Sequence, residues 1–481
     1  MELSTASIIT FLVYLVVMLG IGLYAFSKTH QLHDYILGGR RIGPWTTALS
    51  AGASDMSGWL LLGLPGYAYT SGLVSVWLAL GLLTGTYLNW HFISRPLRQM
   101  SIKLDNAVTL PVFFGNRFKQ QGKALRIVSA IFILVFFVFY TSSGLAAGGK
   151  LFSSVFGLPY EWAVVAGTGA VVFYTFTGGF LAVAWTDLIQ GLMMAVALII
   201  APLVAISSLD SGLFGHIEAK NPELLSLFSD NDGNAMGWIA IVSLLAWGLG
   251  YFGQPHILAR FKAIRSADEL TTAKTIAVSW TGLTLSGGIL VGLVGISFFG
   301  EPLVDSEKVF IHLVNALFHP VVAGVLLAAI LAAIMSTADS QLLVASSAFT
   351  EDLMSPILKG WSQKNMVWLG RITVVVIALI AMTIAFSPNS SILDMVSYAW
   401  AGFGATFGPL MLFSLYWKKI TGQGALAGIV LGGITVIVWK QLSGGLFDLY
   451  EIVPGVLVAS LAIWGISIKT QSKMVLRESE L

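Results

Sequence analysis

Cysteine is absent from all 481 residues, which excludes a disulfide framework, thiolate metal sites and thiol redox chemistry. Charge is nearly as scarce. Asp, Glu, Lys and Arg make up 10% of the chain against 56% hydrophobic residues, and the mean hydropathy is +0.83. A water-soluble globule of this size covers itself with about a quarter charged residues. Lipid must therefore solvate the chain. The net charge of +2, with pI near 8.6, is too small to argue for a nucleic-acid partner. No G-x-x-x-x-G-K-[ST] loop occurs, so the chain does not drive work by nucleotide hydrolysis on its own. No nucleophile, base and orienting group lie together, so an enzyme is the weakest reading.

What is present is a succession of apolar stretches, each near the roughly 20 residues that cross about 30 Å of hydrocarbon as a helix. The pattern predicts thirteen spans, at about 5–26, 44–67, 72–96, 124–156, 160–178, 189–209, 237–256, 274–300, 320–348, 366–387, 392–417, 421–440 and 449–468. The first lacks a charged n-region and a cleavage site, and reads as a retained helix. Of the 26 Lys and Arg, twenty-one follow odd-numbered spans or lie in the tail, including Lys469, Lys473 and Arg477. Four lie on the other side, and the remaining one, Arg371, falls near the inner end of span 10. This bias places the N-terminus outside and the C-terminus inside. The 210–236 segment, with Asp210, Glu218, Glu223, Asp230 and Asp232 against Lys220 alone, has the composition of a solvated outer loop.

Ionisable groups in mid-membrane cost about 2.5–3.5 kcal/mol on insertion scales and persist where they are paired, hydrated or used. Span 2 carries Ser50-Ala51-Gly52-Ala53-Ser54-Asp55-Met56-Ser57-Gly58, and span 7 carries Ala246-Trp247-Gly248-Leu249-Gly250-Tyr251-Phe252-Gly253-Gln254-Pro255. Both predict helices that break and free carbonyls to face a cation. Broken helices that open each half of an inverted repeat are a transporter pattern. The spacing gives one repeat from helices 2–6 (44–209) and another from helices 7–11 (237–417), with 5–26 as leader, two further helices over 421–468 and a tail at 469–481. Gly144-x-x-x-Gly148 and Gly288-x-x-x-Gly292 read as helix-packing motifs. Gly248-x-Gly250-x-x-Gly253 matches a dinucleotide fingerprint, but has no preceding strand and is a false positive. His30 and His33 have no further ligand beside them and read as loop histidines.

Span 9 contains Ala333-Ile334-Met335-Ser336-Thr337-Ala338-Asp339-Ser340, then Ser346 and Ser347. Positions 333, 336, 337 and 340 share one helix face, so a carbonyl and three hydroxyls can converge. Such hard, uncharged oxygens suit sodium better than a transition metal. The alternative is that these hydroxyls bond back to carbonyls one turn earlier.

With Asp34-Tyr35-Ile36-Leu37-Gly38-Gly39-Arg40, the span 2 and span 7 motifs continued to Trp59 and His256, and Met335-Ser336-Thr337, the chain resembles the sodium/solute symporter family over about residues 8–468. The resemblance implies an all-α polytopic membrane protein of the leucine-transporter type with thirteen transmembrane helices in a 5+5 inverted repeat. It implies sodium-coupled import of L-proline, or of a similar small solute such as another amino acid, a carboxylate or a sugar, by alternating access. Sodium is the only cofactor implied, with no nucleotide or organic group. The partners are solute, sodium and the lipid of the cell membrane, and no obligatory protein partner is visible. Residue by residue, the resemblance places sodium on carbonyls of Ala53, Met56 and Ala333 and hydroxyls of Ser336 and Thr337, with Asp55 as the carboxylate of that broken helix. It places the solute on Ser57, Gly58, Tyr140, Trp247, Tyr251 and Pro255. An aromatic wall and free amides suit a pyrrolidine ring, its ammonium and its carboxylate.

One position departs from the pattern. Asp339 stands where that pattern and some relatives show serine, and in relatives with a second sodium this position and Ser340 face an aspartate matching Asp187. Two carboxylates there either hold a second cation more firmly or share a proton. A non-transporting sensor on the same fold is the reading from another class; it would be expected to carry a signalling domain, and after residue 468 only a short charged tail remains.

Overall fold

The computed structural model describes residues 5–26, 36–177, 179–210, 212–387 and 391–479. His30, His33, Asp34 and Tyr35 lie outside the described residues. Among the described residues the chain is helical throughout, with two isolated β-bridges, Ile42 to Ile264 and Ser229 to Ala235, in place of sheet. The helices in chain order are α1 (Thr5–Phe26), α2 (Pro44–Asp55), α3 (Leu64–Ser71), α4 (Ser75–Phe92), α5 (Ser94–Lys103), α6 (Leu110–Arg117) and α7 (Gly122–Phe156). There follow α8 (Tyr160–Thr177), α9 (Phe180–Ser207), α10 (Leu213–Lys220), α11 (Trp238–Leu245), α12 (Pro255–Ala263) and α13 (Leu270–Phe298). The last are α14 (Val309–Leu317), α15 (Pro320–Ser347), α16 (Gln363–Ala385), α17 (Ile392–Tyr416), α18 (Gly422–Trp439) and α19 (Ile452–Ser479). Eight helical segments among the described residues are long and apolar enough to cross a membrane, and two shorter apolar ones lie at Thr5–Ile21 and Trp238–Gly253.

Interior and exterior are both apolar, as a lipid-solvated bundle requires. Val16, Trp45, Trp162, Trp185, Leu203, Leu457, Leu461 and Trp464 are exposed, positions that water would penalise and hydrocarbon tails accept. Inside, α9 packs on α2 and α15; α7 runs against α8, α15 and α17; α18 pairs with α19. The two predicted breaks are present. Between α2 and α3 the chain leaves the helix at Met56 (ψ 77°) and resumes as a π turn over Trp59–Gly63. Between α11 and α12 it narrows to a 3-10 stretch over Ala246–Gly253, and Pro255 opens α12 where a missing N–H costs nothing. The narrow stretch lets α17 approach closely: a Cβ on Gly250 would overlap the Trp400 indole.

Two expectations need correction. Gly288 and Gly292 do pack tightly, against Leu60, Leu64 and Pro65 of the broken span, but a Cβ on Gly144 or Gly148 would meet nothing within 4 Å. Those two glycines are not a close-approach motif. Arg260 and Lys262, counted among the cations that mark the inner loops, are buried. The Lys262 ammonium donates to the Val108 carbonyl at 2.7 Å. The 210–236 segment is largely exposed, with α10 and a 3-10 turn at Pro222–Leu225 inside it.

Candidate ion and solute site

The break after α2 creates the site's first unusual acceptor. In an unbroken helix the Ala53 carbonyl would accept the Ser57 N–H; here that N–H turns to the Asp55 carbonyl at 3.0 Å, while the Met56 N–H still closes on Gly52 at 2.8 Å. Ala53 is left without its helical partner in a fully buried place. Two hydroxyls from α15 fill the gap, Ser336 Oγ donating at 2.8 Å and Thr337 Oγ1 at 3.0 Å. Ser336 also reaches the Ala333 carbonyl at 3.2 Å. Ala53, Ala333, Ser336 and Thr337 are thus brought together. Met56 is buried at the break, and no hydrogen bond among the described residues links its carbonyl to α15. Ser340, Ser346 and Ser347 bond back to carbonyls of their own helix, Ser336 and Leu343. Of these hydroxyls, those at 336 and 337 are the ones that donate to a carbonyl of another helix.

Asp55 stands apart from that group. Its Oδ2 accepts the Tyr251 hydroxyl at 2.7 Å, and its Oδ1 is buried with no hydrogen-bond partner among the described residues. Its backbone carbonyl accepts the Tyr140 hydroxyl at 3.1 Å and the Trp59 indole N–H at 3.3 Å. Asp55, expected beside the sodium ligands, is tied instead to two of the residues expected at the solute. The other expected solute residues are spread around it. Ser57 Oγ accepts the Trp59 N–H at 3.3 Å, and Gly58 lies against Ala147 and Ile334, where a Cβ would come within 2.7 Å of the Ala147 methyl. Tyr251 meets the edge of Trp400 at 4.9 Å, and the Trp400 indole donates to the Trp247 carbonyl at 2.7 Å. The Trp247 ring stacks on Tyr450 at 5.5 Å. Pro255 is buried at the head of α12 and none of these bonds joins it to Asp55. The result is a polar spot with aromatic walls, a carboxylate oxygen to spare, and an interrupted backbone beside it.

Asp187, Asp339 and Ser340 also converge, but around a group that the sequence argument missed. The Arg260 guanidinium, fully buried on α12, donates from Nη2 to Asp187 Oδ2 at 3.2 Å and to Ser340 Oγ at 2.5 Å. Its Nε donates to Ser50 Oγ at 3.0 Å and its Nη1 to the His256 carbonyl at 3.1 Å; Ser50 in turn donates to Asp187 Oδ2 at 2.6 Å. Phe180 lies under the guanidinium plane at 5.2 Å. Asp339 Oδ1 accepts the Ser340 hydroxyl at 3.2 Å. Asp187 Oδ1 and Asp339 Oδ2 are buried and have no hydrogen-bond partner among the described residues. Arg260 carried no local signal: it lies just beyond the predicted end of span 7, and its partners Ser50, Asp187 and Ser340 are distant in sequence. Trp59, Trp400 and Tyr450, which complete the walls, carry no local signal of their role.

The sequence pattern of the sodium:solute symporter family matches residues 35–432. The sodium/proline symporter of Salmonella typhimurium is 49% identical over 473 residues, covering 96% of this chain and 93% of that protein. The high-affinity proline transporter PutP of Bacillus subtilis is 47% identical over 462 residues, 95% of this chain and 96% of that protein. Among solved structures, a Na+-coupled sialic acid symporter in a substrate-bound outward-open state superposes with a TM-score of 0.80 at 18% identity, covering 96% of this chain and 98% of that one. A closed nucleobase-cation-symport-1 family transporter gives a TM-score of 0.58 at 15% identity over 92% and 95%. The last two likenesses establish the fold.

Proposed function

The chain belongs to the sodium:solute symporter family, and we propose that it imports L-proline across the cell membrane, coupled to sodium, by alternating access. It is a multi-pass membrane protein whose relatives are transporters rather than enzymes. The observation that carries the ion reading is the convergence of the Ser336 and Thr337 hydroxyls on the freed Ala53 carbonyl. Sodium, as a transported substrate, takes the Ala53 and Ala333 carbonyls and turns the lone pairs of both hydroxyls toward itself; the Met56 carbonyl, next along the break, is the remaining ligand in this assignment. The proline reading rests on the names of relatives near half identity and on the walls at Tyr140, Trp247 and Tyr251. Asp55, held by Tyr251, is the fixed anion between ion and solute.

The finer topology belongs to the same proposal. Thirteen helices span the bilayer with the N-terminus outside and the C-terminus inside, and helices 2–6 and 7–11 form two inverted repeats that rock about the two breaks. One sodium moving with each proline supplies about 2.3 kcal/mol from a potential of about 100 mV and about 1.4 kcal/mol from a tenfold gradient, enough for roughly 500-fold accumulation. The deciding measurement is uptake of labelled proline into proteoliposomes under an inward sodium gradient. Uptake that continues unchanged with choline in place of sodium rejects the coupling. Uptake of another amino acid, with proline ineffective as a competitor, rejects the solute and keeps the ion.

A further inference from the structure

We propose that Arg260 is a built-in cation that occupies the place of a second transported sodium, so that the chain binds one sodium and Asp187 keeps a permanent counter-charge. The proposal rests on the sodium-coupled reading above. Its ground is geometric. Of the three residues expected to hold a second ion, Asp187 and Ser340 already present oxygens to the Arg260 Nη2 atom, at 3.2 and 2.5 Å. The other two guanidinium nitrogens donate to Ser50 and the His256 carbonyl. Two buried carboxylates would repel each other strongly in a medium of low dielectric, and a buried carboxylate without a counter-charge costs several kcal/mol. A guanidinium fixed to the chain supplies that counter-charge to Asp187 without an exchangeable ion. Its planar fork meets several acceptors at once, which a hydrated sodium would have to lose its water to imitate.

The same cluster explains why the charge is carried on α12. Arg260 joins the helix that follows the second break to Ser50 on α2, Asp187 on α9 and Ser340 on α15. Two of these elements, α2 and α15, also frame the Ala53 site one turn away. An exchangeable ion here would tie those helices together only when loaded, whereas Arg260 ties them in every state. Removing it leaves four carboxylate oxygens, two of which, Asp187 Oδ1 and Asp339 Oδ2, have no hydrogen bond among the described residues even now. That vacancy has the charge and the hard oxygens to recruit sodium.

The test counts radiolabelled sodium bound to the purified full-length protein at saturation, without solute. The parent is expected to bind one per chain, Arg260→Lys one, and Arg260→Ala two. Asp339→Ser, which keeps the guanidinium, should also bind one, with half-saturation within about twofold of the parent. Two sodium ions on the parent, or one on a folded Arg260→Ala, overturns the proposal and leaves sodium coupling standing. If Arg260→Ala does not fold, the parent and Asp339→Ser decide alone: one ion on each supports the inference, and two falling to one rejects it. No bound sodium on the parent rejects the coupling itself, and this inference with it.

Discussion

Two clusters lie one turn apart on α2 and again one turn apart on α15. The first joins Ala53 to Ser336 and Thr337; the second joins Ser50 to Ser340, Asp187 and Arg260. The first is made of neutral oxygens around a carbonyl that lost its helical partner. The second is made of full charges that find each other within the protein. Neutral oxygens leave a buried place that an incoming cation can polarise, while the guanidinium already gives Asp187 a counter-charge from within the chain. The contrast separates an exchangeable ion site from a fixed one, although both use the same two helices and the same residue types in the hydroxyl positions.

The largest effect that tests this contrast belongs to the neutral cluster. Removing both hydroxyls in Ser336→Ala/Thr337→Ala deletes two ligand oxygens from a desolvated cation, each worth about 1.5–3 kcal/mol as a contact to a charged group. The sodium concentration for half-maximal uptake should rise at least about a hundredfold. The matching pair Ser346→Ala/Ser347→Ala, whose hydroxyls only bond back to Leu343, should keep the parent's sodium curve. Equal curves for the two pairs would make α15 a packing helix throughout.

A smaller effect is expected from Tyr251→Phe, which deletes the hydroxyl bonded to Asp55 Oδ2 and leaves the ring against Trp400. Losing one hydrogen bond to a carboxylate should raise the half-saturating proline concentration about tenfold while moving the sodium requirement less than about threefold. The reverse pattern, a large sodium shift with proline unchanged, would put Asp55 back among the ion ligands where the sequence argument had it.

How much of this was legible depended on whether a feature was local. The breaks at residues 52–58 and 246–255 follow from glycine, serine, a buried carboxylate and a proline inside apolar runs, and both appear where expected. The face of α15 follows from helical spacing. Arg260 was misread because a cation near the end of a span looks the same in sequence whether it extends to water or turns inward. Only the positions of Ser50, Asp187 and Ser340, 210, 73 and 80 residues away, decide it. Gly144 and Gly148 failed for a related reason: small-xxx-small spacing describes a helix surface but not what faces it. The sequence argument set Asp187 and Asp339 side by side from a resemblance, and the guanidinium that bonds to Asp187 was the part that needed tertiary structure.

Ser50→Ala gives the smallest effect and the sharpest division between the clusters. Ser50 lies one turn before Ala53, donates to Asp187 Oδ2 at 2.6 Å and accepts from Arg260 Nε at 3.0 Å. Its loss leaves a guanidinium N–H and a carboxylate oxygen each short of one buried partner, a destabilisation of about 1–3 kcal/mol that thermal unfolding in detergent should register as a lower Tm. Alanine keeps the helix and removes one oxygen, so the Ala53 carbonyl and the hydroxyls that meet it stay in place. If the charged cluster is fixed and the neutral one exchangeable, half-maximal sodium should move by no more than about threefold, because on α2 the coupling between them runs through one backbone turn, and the Ser340 bond to the Ser336 carbonyl on α15 is left in place. A hundredfold shift, as large as that expected for the double change at 336 and 337, would mean that Arg260, Asp187 and the Ala53 site bind the ion as a single unit. The division between them would then fail.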